Sequence, residues 1–381
     1  VSEVAQTQLV IIFLASLVVY MSAAMADSDG RIEVAVVGVG RMGRHHARTY
    51  ARNLGDRCRL VGVVDRDEER RETVADEFGG EAYADVASLL ADRPDLAAAS
   101  IAVPTRAHAE AAGPLIDAGV ACLIEKPLAE TSEAARAIAD LARAAGVVLR
   151  VGHTERFNPA VRAVAGMELT ARFIEVDRVS EMSFRSLDVG VVMDMMIHDL
   201  DIVLMLARSP LKKVDAAGVA VVTDHEDICS ARLVFESGCV ASLTASRLAL
   251  KTDRKLRVFS DTAYVSLDYA KRSGTLVRKT PGNVDTLKRV REMLAGGGDL
   301  SGVDYADLVE FDELTMDADG VSSDPLTAEL GAFLGAVAGG GLSDEGVGGA
   351  EGVAAIEAAE RVVAAVQAHR WEGLEHGALR V

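Results

Sequence analysis

The sequence predicts an α/β fold: an N-terminal doubly wound parallel sheet, then a C-terminal α+β domain with a large, mostly antiparallel open sheet. Three observations predict it. A short run rich in β-branched residues, Arg31 to Val37, enters a turn with glycine at Gly38, Gly40 and Gly43. From there to about Arg150, apolar strand-like runs alternate with amphipathic segments, as in a parallel sheet covered by helices. After about His153 the texture changes to runs of alternating apolar and polar residues joined by short polar turns, which reads as antiparallel hairpins.

Taken in order, residues 1–28 are an extension ahead of the first domain. The run Leu9 to Tyr20 resembles a signal h-region, and Ala24-Met25-Ala26 resembles a cleavage site. No Lys or Arg precedes that run, and it is too short for a typical membrane-spanning helix. The expectation is therefore an over-extended reading frame with its start near Met21 or Met25, against the alternative of a real signal or anchor.

Residues 29–150 are expected to form one domain, with strands near 32–37, 59–64, 97–103, 120–124 and 147–151. Its clearest helix is 131–145, where Thr131 or Ser132 can cap the start, Ala134, Ile138, Leu141 and Ala145 recur on one face, and Gly146 ends it. Residues 151–381 are expected to form the second domain. In 228–246, Cys229, Ala231, Leu233 and Phe235 alternate with polar neighbours before a Ser237-Gly238 turn and a second alternating run. The runs LRVF and YVSLDY bracket a polar turn at Asp261-Thr262. Residues 271–325 read as loops with a short helix near 286–294, followed by a helix from Pro325 carrying Leu330, Phe333, Leu334 and Val337. A Gly-rich link at 339–349 and a last helix at 350–368 close the chain.

Length and composition set limits on function. A chain of 381 residues suits two domains, and a half-apolar composition is that of a globular protein. A formal charge of −18 argues against nucleic-acid partners, which require clustered Lys and Arg. Cys58, Cys122, Cys229 and Cys239 lie in apolar runs without C-x-x-C spacing and read as reduced, buried thiols of a cytoplasmic protein.

The glycine turn carries the first chemical reading. Gly38 permits a tight turn, Gly40 allows close backbone approach to a pyrophosphate, and Gly43 lets the helix lie on the strand. N–H groups from Arg41 and Met42 onward then face phosphates at the helix start. Asp65 closes the next apolar run, 22 positions beyond Gly43, where it would accept bonds from an adenosine ribose diol and repel a 2′-phosphate. Together these residues form a Rossmann dinucleotide-binding unit that favours NAD over NADP, a preference that Arg66 weakens. The segment AVPTRAH, with Pro104, Thr105 and His108, ends another strand and is expected at the nicotinamide half, although His108 reads equally as an exposed histidine at a helix start.

Lys126, in Ile124-Glu125-Lys126-Pro127, sits at the carboxyl edge of the parallel sheet, where ligands of such folds bind. It could bond a substrate hydroxyl and stabilise negative charge on that oxygen. Asp194 and His198 share a helix face at i, i+4 spacing, and Asp201 can join it. An imidazole suits the proton released in alcohol oxidation, with Asp194 orienting the ring; a helix cap followed by a surface histidine is the plainer alternative. A metal site built from Asp194, His198, Asp201 and His153 is disfavoured, since no second histidine or cysteine falls at a ligand spacing. Arg156 and Asn158 lie where the chain leaves the first domain, as if to line a cleft between domains, and Arg185 precedes the Asp194 segment. With Lys126, the two arginines supply the positive charge that an anionic sugar nucleotide would need.

GVGRMGRHHA, Pro104-x-x-x-His108, Glu125-Lys126-Pro127 and Asp194-x-x-x-His198, in this order over about residues 31–370, resemble the Gfo/Idh/MocA family of glucose-fructose oxidoreductase, inositol dehydrogenase and rhizopine catabolism proteins. The resemblance implies a Rossmann domain, a second domain whose open sheet often builds a homodimer or homotetramer, and NAD(P)-dependent oxidation of a sugar or cyclitol hydroxyl. Lys126, Asp194 and His198 would then be the catalytic trio. Arg156, Asn158 and Arg185 are expected as substrate contacts and Glu125 in the cofactor site. GHTERFNPAV and the segment around VVMDMMIHDLDIVL are similar to a narrower branch that oxidises the 3-hydroxyl of UDP-N-acetylglucosamine, which implies a 3-keto product for a lipid A 3-amino sugar. A dehydrogenase of a free sugar or inositol, and a non-catalytic cofactor-binding regulator, are the alternatives.

Overall fold

The computed structural model describes residues 29–183, 188–269, 271–280, 282–297, 304–315, 324–340 and 345–371. In chain order the first elements are β1 (Ile32–Val37), α1 (Arg41–Arg52), β2 (Cys58–Val64), α2 (Glu68–Phe78), β3 (Glu81–Tyr83), α3 (Val86–Asp92), β4 (Ala98–Ile101), α4 (His108–Asp117), β5 (Ala121–Glu125), α5 (Ser132–Ala145) and β6 (Leu149–Gly152). Then follow α6 (Pro159–Ala165), β7 (Ala171–Val179), a π turn (Val192–Met196) running into α7 (Ile197–Ala207), β8 (Leu211–Val219), β9 (Ile228–Phe235), β10 (Val240–Ser246), β11 (Asp253–Ser260), β12 (Ala263–Asp268), β13 (Ser273–Lys279), α8 (Asn283–Ala295) and β14 (Val309–Thr315). The last are α9 (Pro325–Ala338), β15 (Val347–Gly348) and α10 (Gly349–Ala368).

One compact unit runs to Phe157 and resumes over Val321–Glu357. Its seven-stranded sheet has the order β15-β6-β5-β4-β1-β2-β3, parallel except for β15. The order reverses beside β1, the topological switch point at whose carboxyl edge ligands of such sheets bind. The five strands expected here are present within three residues at each end. α5 has the expected caps, Thr131 accepting from Ala134 N–H and Gly146 left-handed, but its buried face is Ala135, Ile138 and Ala142, with Leu141 exposed. Alanine on every side gave the pattern no size contrast with which to choose a face.

The second unit spans Asn158–Gly320 and resumes at Ala358. Its eight-stranded sheet has the order β14-β13-β12-β11-β7-β10-β9-β8, antiparallel except for the β7–β10 pair. Both expected hairpins are present, β9–β10 and β11–β12. One face buries Ile174, Val176, Leu243, Leu256 and Val265 beneath α7 and the end of α10.

Two expectations are corrected. The first unit is discontinuous, because Leu330, Phe333, Leu334 and Val337 of α9 bury against Tyr50, Leu54 and β1 rather than in the second unit. The described residues of 271–325 are not mainly loop, since β13 and β14 extend the sheet and the helix is longer than expected. The four cysteines are free and buried, and burial pushes the Cys58, Cys122 and Cys229 thiols up to about 12. Among the described residues, no helix is long and apolar enough to cross a membrane.

Candidate active site

The glycine turn is built so that side chains would destroy it. Gly38 has φ +82, donates its N–H to Val64 O at 2.7 Å, and would place a Cβ 2.6 Å from Val103 Cγ1. A Cβ on Gly43 would stand 1.8 Å from the Gly38 carbonyl oxygen, so α1 rests directly on the turn. Gly40 differs, because the space beyond its Cβ position is open. The first N–H groups of a helix need acceptors. Asp67, Asp85, Thr131 and Asp324 cap α2, α3, α5 and α9, whereas α1 begins at Gly40 with no side-chain cap and no acid in its first turn. Uncapped N–H groups beside an open glycine fit a pyrophosphate.

Asp65 lies at the end of β2 as expected, and it also organises the turn. Its Oδ2 accepts the Val39 N–H at 2.9 Å and its Oδ1 the Asp67 N–H at 3.0 Å. Arg66 points elsewhere, bonded to Glu110 at 2.9 Å. A cleft next to the turn is lined by Gly40, Arg41, Arg44, Asp67, Arg70 and Thr73. Met42 is half-buried in the first turn of α1.

Beyond β4, exposed Pro104 precedes a short 3-10 turn, Thr105–Ala107, and Thr105 is half-buried. His108 is neither exposed nor open to a ligand. Its ring is 1% exposed, with Nδ1 3.2 Å from Leu128 O and Nε2 3.1 Å from Val103 O. It braces the segment after β5 against the end of β4, and burial lowers its pKa despite both carbonyls. The expectation of an exposed histidine at a helix start is corrected to a buried brace, with both ring nitrogens turned to backbone carbonyls.

Glu125 ends β5, and Lys126 follows it, joined to Pro127 by a cis peptide. Lys126 is half-buried, and its N–H donates to Glu125 Oε2 at 3.3 Å. The other oxygen, Oε1, lies 2.9 Å from Nε2 of fully buried His46 on α1. Burial alone would raise the Glu125 pKa, but the His46 hydrogen bond and charge, helped by Lys126, hold it below the ordinary value. His46 stands in the GRHHA motif, yet only its place under the sheet edge gives it a role.

Arg156 lies in a 3-10 turn, Thr154–Phe157, of the first unit. Asn158 belongs to the second unit, where its side-chain oxygen caps α6 by accepting the Ala160 N–H at 3.1 Å ahead of Pro159. Its expected substrate contact thus competes with a capping bond. Arg185 lies outside the described residues.

In the second unit Asp194 stands in the π turn and His198 in the first turn of α7, both half-buried. Single π turns recur at functional sites. Asp201 is 1% exposed and Asp199 2%. Asp199 forms a buried two-point ion pair with Arg178 of β7, Nε to Oδ2 at 2.6 Å and Nη2 to Oδ1 at 2.8 Å, which ties α7 to the sheet. Two acids in an otherwise apolar helix were the available signal for such a partner. The helix start is held by Glu226, which sequence reasoning missed: its Oε1 accepts the Val192 N–H at 3.2 Å. His153 is buried in the first unit. Among the described residues, no group of three or more His, Cys, Asp or Glu could hold a metal ion.

Comparison with known proteins adds relatives to this geometry. Residues 32–153 match the family model described as an oxidoreductase family with an NAD-binding Rossmann fold, and residues 167–266 match the GFO/IDH/MocA C-terminal domain. UDP-N-acetylglucosamine 3-dehydrogenase of Acidithiobacillus ferrooxidans is 38% identical over 258 residues, 68% of this chain and 80% of that protein. The scyllo-inositol 2-dehydrogenase (NAD(+)) of Bacillus subtilis is 27% identical over 58% of this chain and 68% of its own. A solved structure of the Acidithiobacillus enzyme superposes with TM-score 0.74 at 34% identity, covering 88% of this chain and 97% of that one. Levoglucosan dehydrogenase in complex with NADH superposes with TM-score 0.72 at 19% identity, over 88% of this chain and 97% of the other, a likeness of fold.

Proposed function

Because the chain belongs to the Gfo/Idh/MocA family of oxidoreductases, we propose that it oxidises a sugar ring hydroxyl to a ketone, most specifically the 3-hydroxyl of UDP-N-acetylglucosamine. The observation that carries the substrate is the 38% identity spanning 80% of the enzyme of that name.

The residues of the glycine turn fit a nicotinamide dinucleotide, with Gly40, Arg41 and Met42 at the pyrophosphate. When bound, that group supplies the hydride acceptor. Asp65 supports NAD over NADP, since a carboxylate at the end of β2 suits a ribose diol and would repel a 2′-phosphate, while Arg66 is engaged by Glu110.

Oxidation removes a hydride from carbon and a proton from oxygen. Lys126 is assigned to the reacting oxygen, where its ammonium stabilises developing negative charge. His198 is assigned as the proton acceptor, and Asp194 as the carboxylate that orients and steadies its ring. Arg156 and Arg185 are assigned to the anionic part of the substrate. This assembly is a homodimer or homotetramer built on the second unit's sheet. On its outer face Phe173, Phe259, Tyr264, Val277 and Phe311 lie in register across β7, β11, β12, β13 and β14, an apolar row that a second copy would cover.

A panel of UDP-sugars, free hexoses and inositols, assayed with NAD by NADH absorbance, tests the reading. Turnover on UDP-N-acetylglucosamine well above the rest supports it. Turnover confined to free sugars or inositol replaces it with the inositol-type activity, the class of the Bacillus relative.

A further inference from the structure

The helix that carries Asp194 and His198 starts without a cap of its own. Val191 has no side-chain acceptor, and no side-chain bond caps the π turn from that position. The acceptors come from a distant segment. The Glu226 carbonyl oxygen takes the Val191 N–H at 3.0 Å, and Glu226 Oε1 takes the Val192 N–H at 3.2 Å. A carboxylate is favoured there by the partial positive charge of a helix start.

Glu226 is only 4% exposed, and its neighbours hold it in place. Asp227 Oδ2 accepts the N–H groups of Val221, Val222 and Thr223 at 2.8, 2.6 and 3.1 Å, and Oδ1 accepts the Thr223 hydroxyl at 2.8 Å. Arg247 lies 3.6 Å from Asp227 Oδ1 and donates to the carbonyl of Val189, just ahead of the same helix start. Gly190 completes the fit, because a Cβ there would stand 2.0 Å from Glu226 Oε1. The carboxylate fills the space that a side chain at 190 would take.

The geometry points to Glu226 as the positioning residue of the Asp194 and His198 helix, a buried carboxylate that fixes where its π turn begins. A π turn inserts one residue, so losing it rotates the preceding residues by about 100° relative to an unbroken α-helix. Asp194 stands inside that turn, and its relation to His198 depends on the turn being kept. The inference rests on the assignment of His198 as the proton acceptor.

The test uses the full chain and the variants Glu226→Ala, Glu226→Gln, Gly190→Ala and the Ala/Ala double variant. Amide exchange over residues 190–198 is measured without substrate, and NADH formation with NAD and UDP-N-acetylglucosamine. Glu226→Ala should speed exchange of the helix start and lower kcat by about tenfold each, the scale of a lost cap, with KM for NAD unchanged. Glu226→Gln keeps an acceptor oxygen and should restore both to within about threefold. Gly190→Ala displaces the carboxylate and should reproduce the loss, adding little to Glu226→Ala because both act through one contact. Wild-type exchange and kcat in Glu226→Ala, or in Gly190→Ala if Glu226→Ala fails to fold, would overturn the proposal. A wild-type protein inactive on every sugar overturns the proposed function instead, and the exchange data alone then decide whether Glu226 holds the helix.

Discussion

His46 Nε2 lies 2.9 Å from Glu125 Oε1, so the helix that begins at the glycine turn is bonded to the residue directly ahead of Lys126. The pair is buried, and Nδ1 of His46 has no partner among the described residues. One hydrogen bond therefore links the floor of the dinucleotide turn to the strand end that presents the lysine. Removing the imidazole leaves a buried carboxylate short of its main partner, a loss of about 3–5 kcal/mol in comparable pairs. His46→Ala should show that loss in denaturant unfolding together with a lower kcat, while a change below about 1 kcal/mol would mean that water replaces the ring.

The same pair makes stability depend on pH in a defined direction. The folded Glu125 pKa is held below its ordinary 4.5, so in that range the unfolded chain binds more protons than the folded one. Its contribution is complete above about 4.5 and is lost as the pH falls through the lowered value. The stability gap between wild type and Glu125→Gln, followed by unfolding midpoints from about pH 6 to about pH 3, should narrow on acidification. A gap that widened would reverse the sign assigned to the carboxylate.

Lys126→Met and His198→Ala each remove one group assigned to the reacting oxygen. Both should lower turnover at least about a hundredfold, the scale of acid–base catalysis, while NAD titrations by calorimetry keep their wild-type affinity. Near-normal turnover in either variant would remove that residue from the mechanism.

Much of this site was legible in the chain, for different physical reasons at different residues. Gly38, Gly43 and Asp65 announce themselves because their backbone and packing demands are local. Lys126 was placed by the strand that ends one residue earlier. His46 and Glu226 were not legible, since each acts on a partner 79 or 34 positions away that only folding brings near. His108 was misread because a polar side chain at a strand end looks alike whether it faces a ligand or two carbonyls. Where α9 docks was hidden for a similar reason, as an amphipathic helix carries no mark of which core will receive it. β13 and β14 were hidden by their charges, which suit strands at the sheet edge.

Asp65 joins two roles that substitution can separate. Its carboxylate holds the Val39 N–H, and the proposed function also assigns it to the ribose, where it would repel a 2′-phosphate. Asp65→Ser keeps an acceptor for the turn but removes the charge, so the NADP to NAD ratio of kcat/KM should rise at least about tenfold, or about 1.4 kcal/mol. An unchanged ratio would place cofactor choice elsewhere in the cleft.

The outer row of the second sheet makes a prediction about assembly. Phe311 is 56% exposed on β14 and pairs with Val277, which pairs with Tyr264, then Phe259, then Phe173. An edge strand that exposes an aromatic side chain invites association unless another copy covers it. The wild-type chain should therefore sediment as a dimer or tetramer. A carboxylate at the row's exposed end would be stranded in an apolar interface at a cost of several kcal/mol, so Phe311→Asp should shift the chain toward monomer at micromolar concentration. Monomeric wild-type protein, or an assembly indifferent to Phe311→Asp and Tyr264→Asp alike, would move the interface off this face.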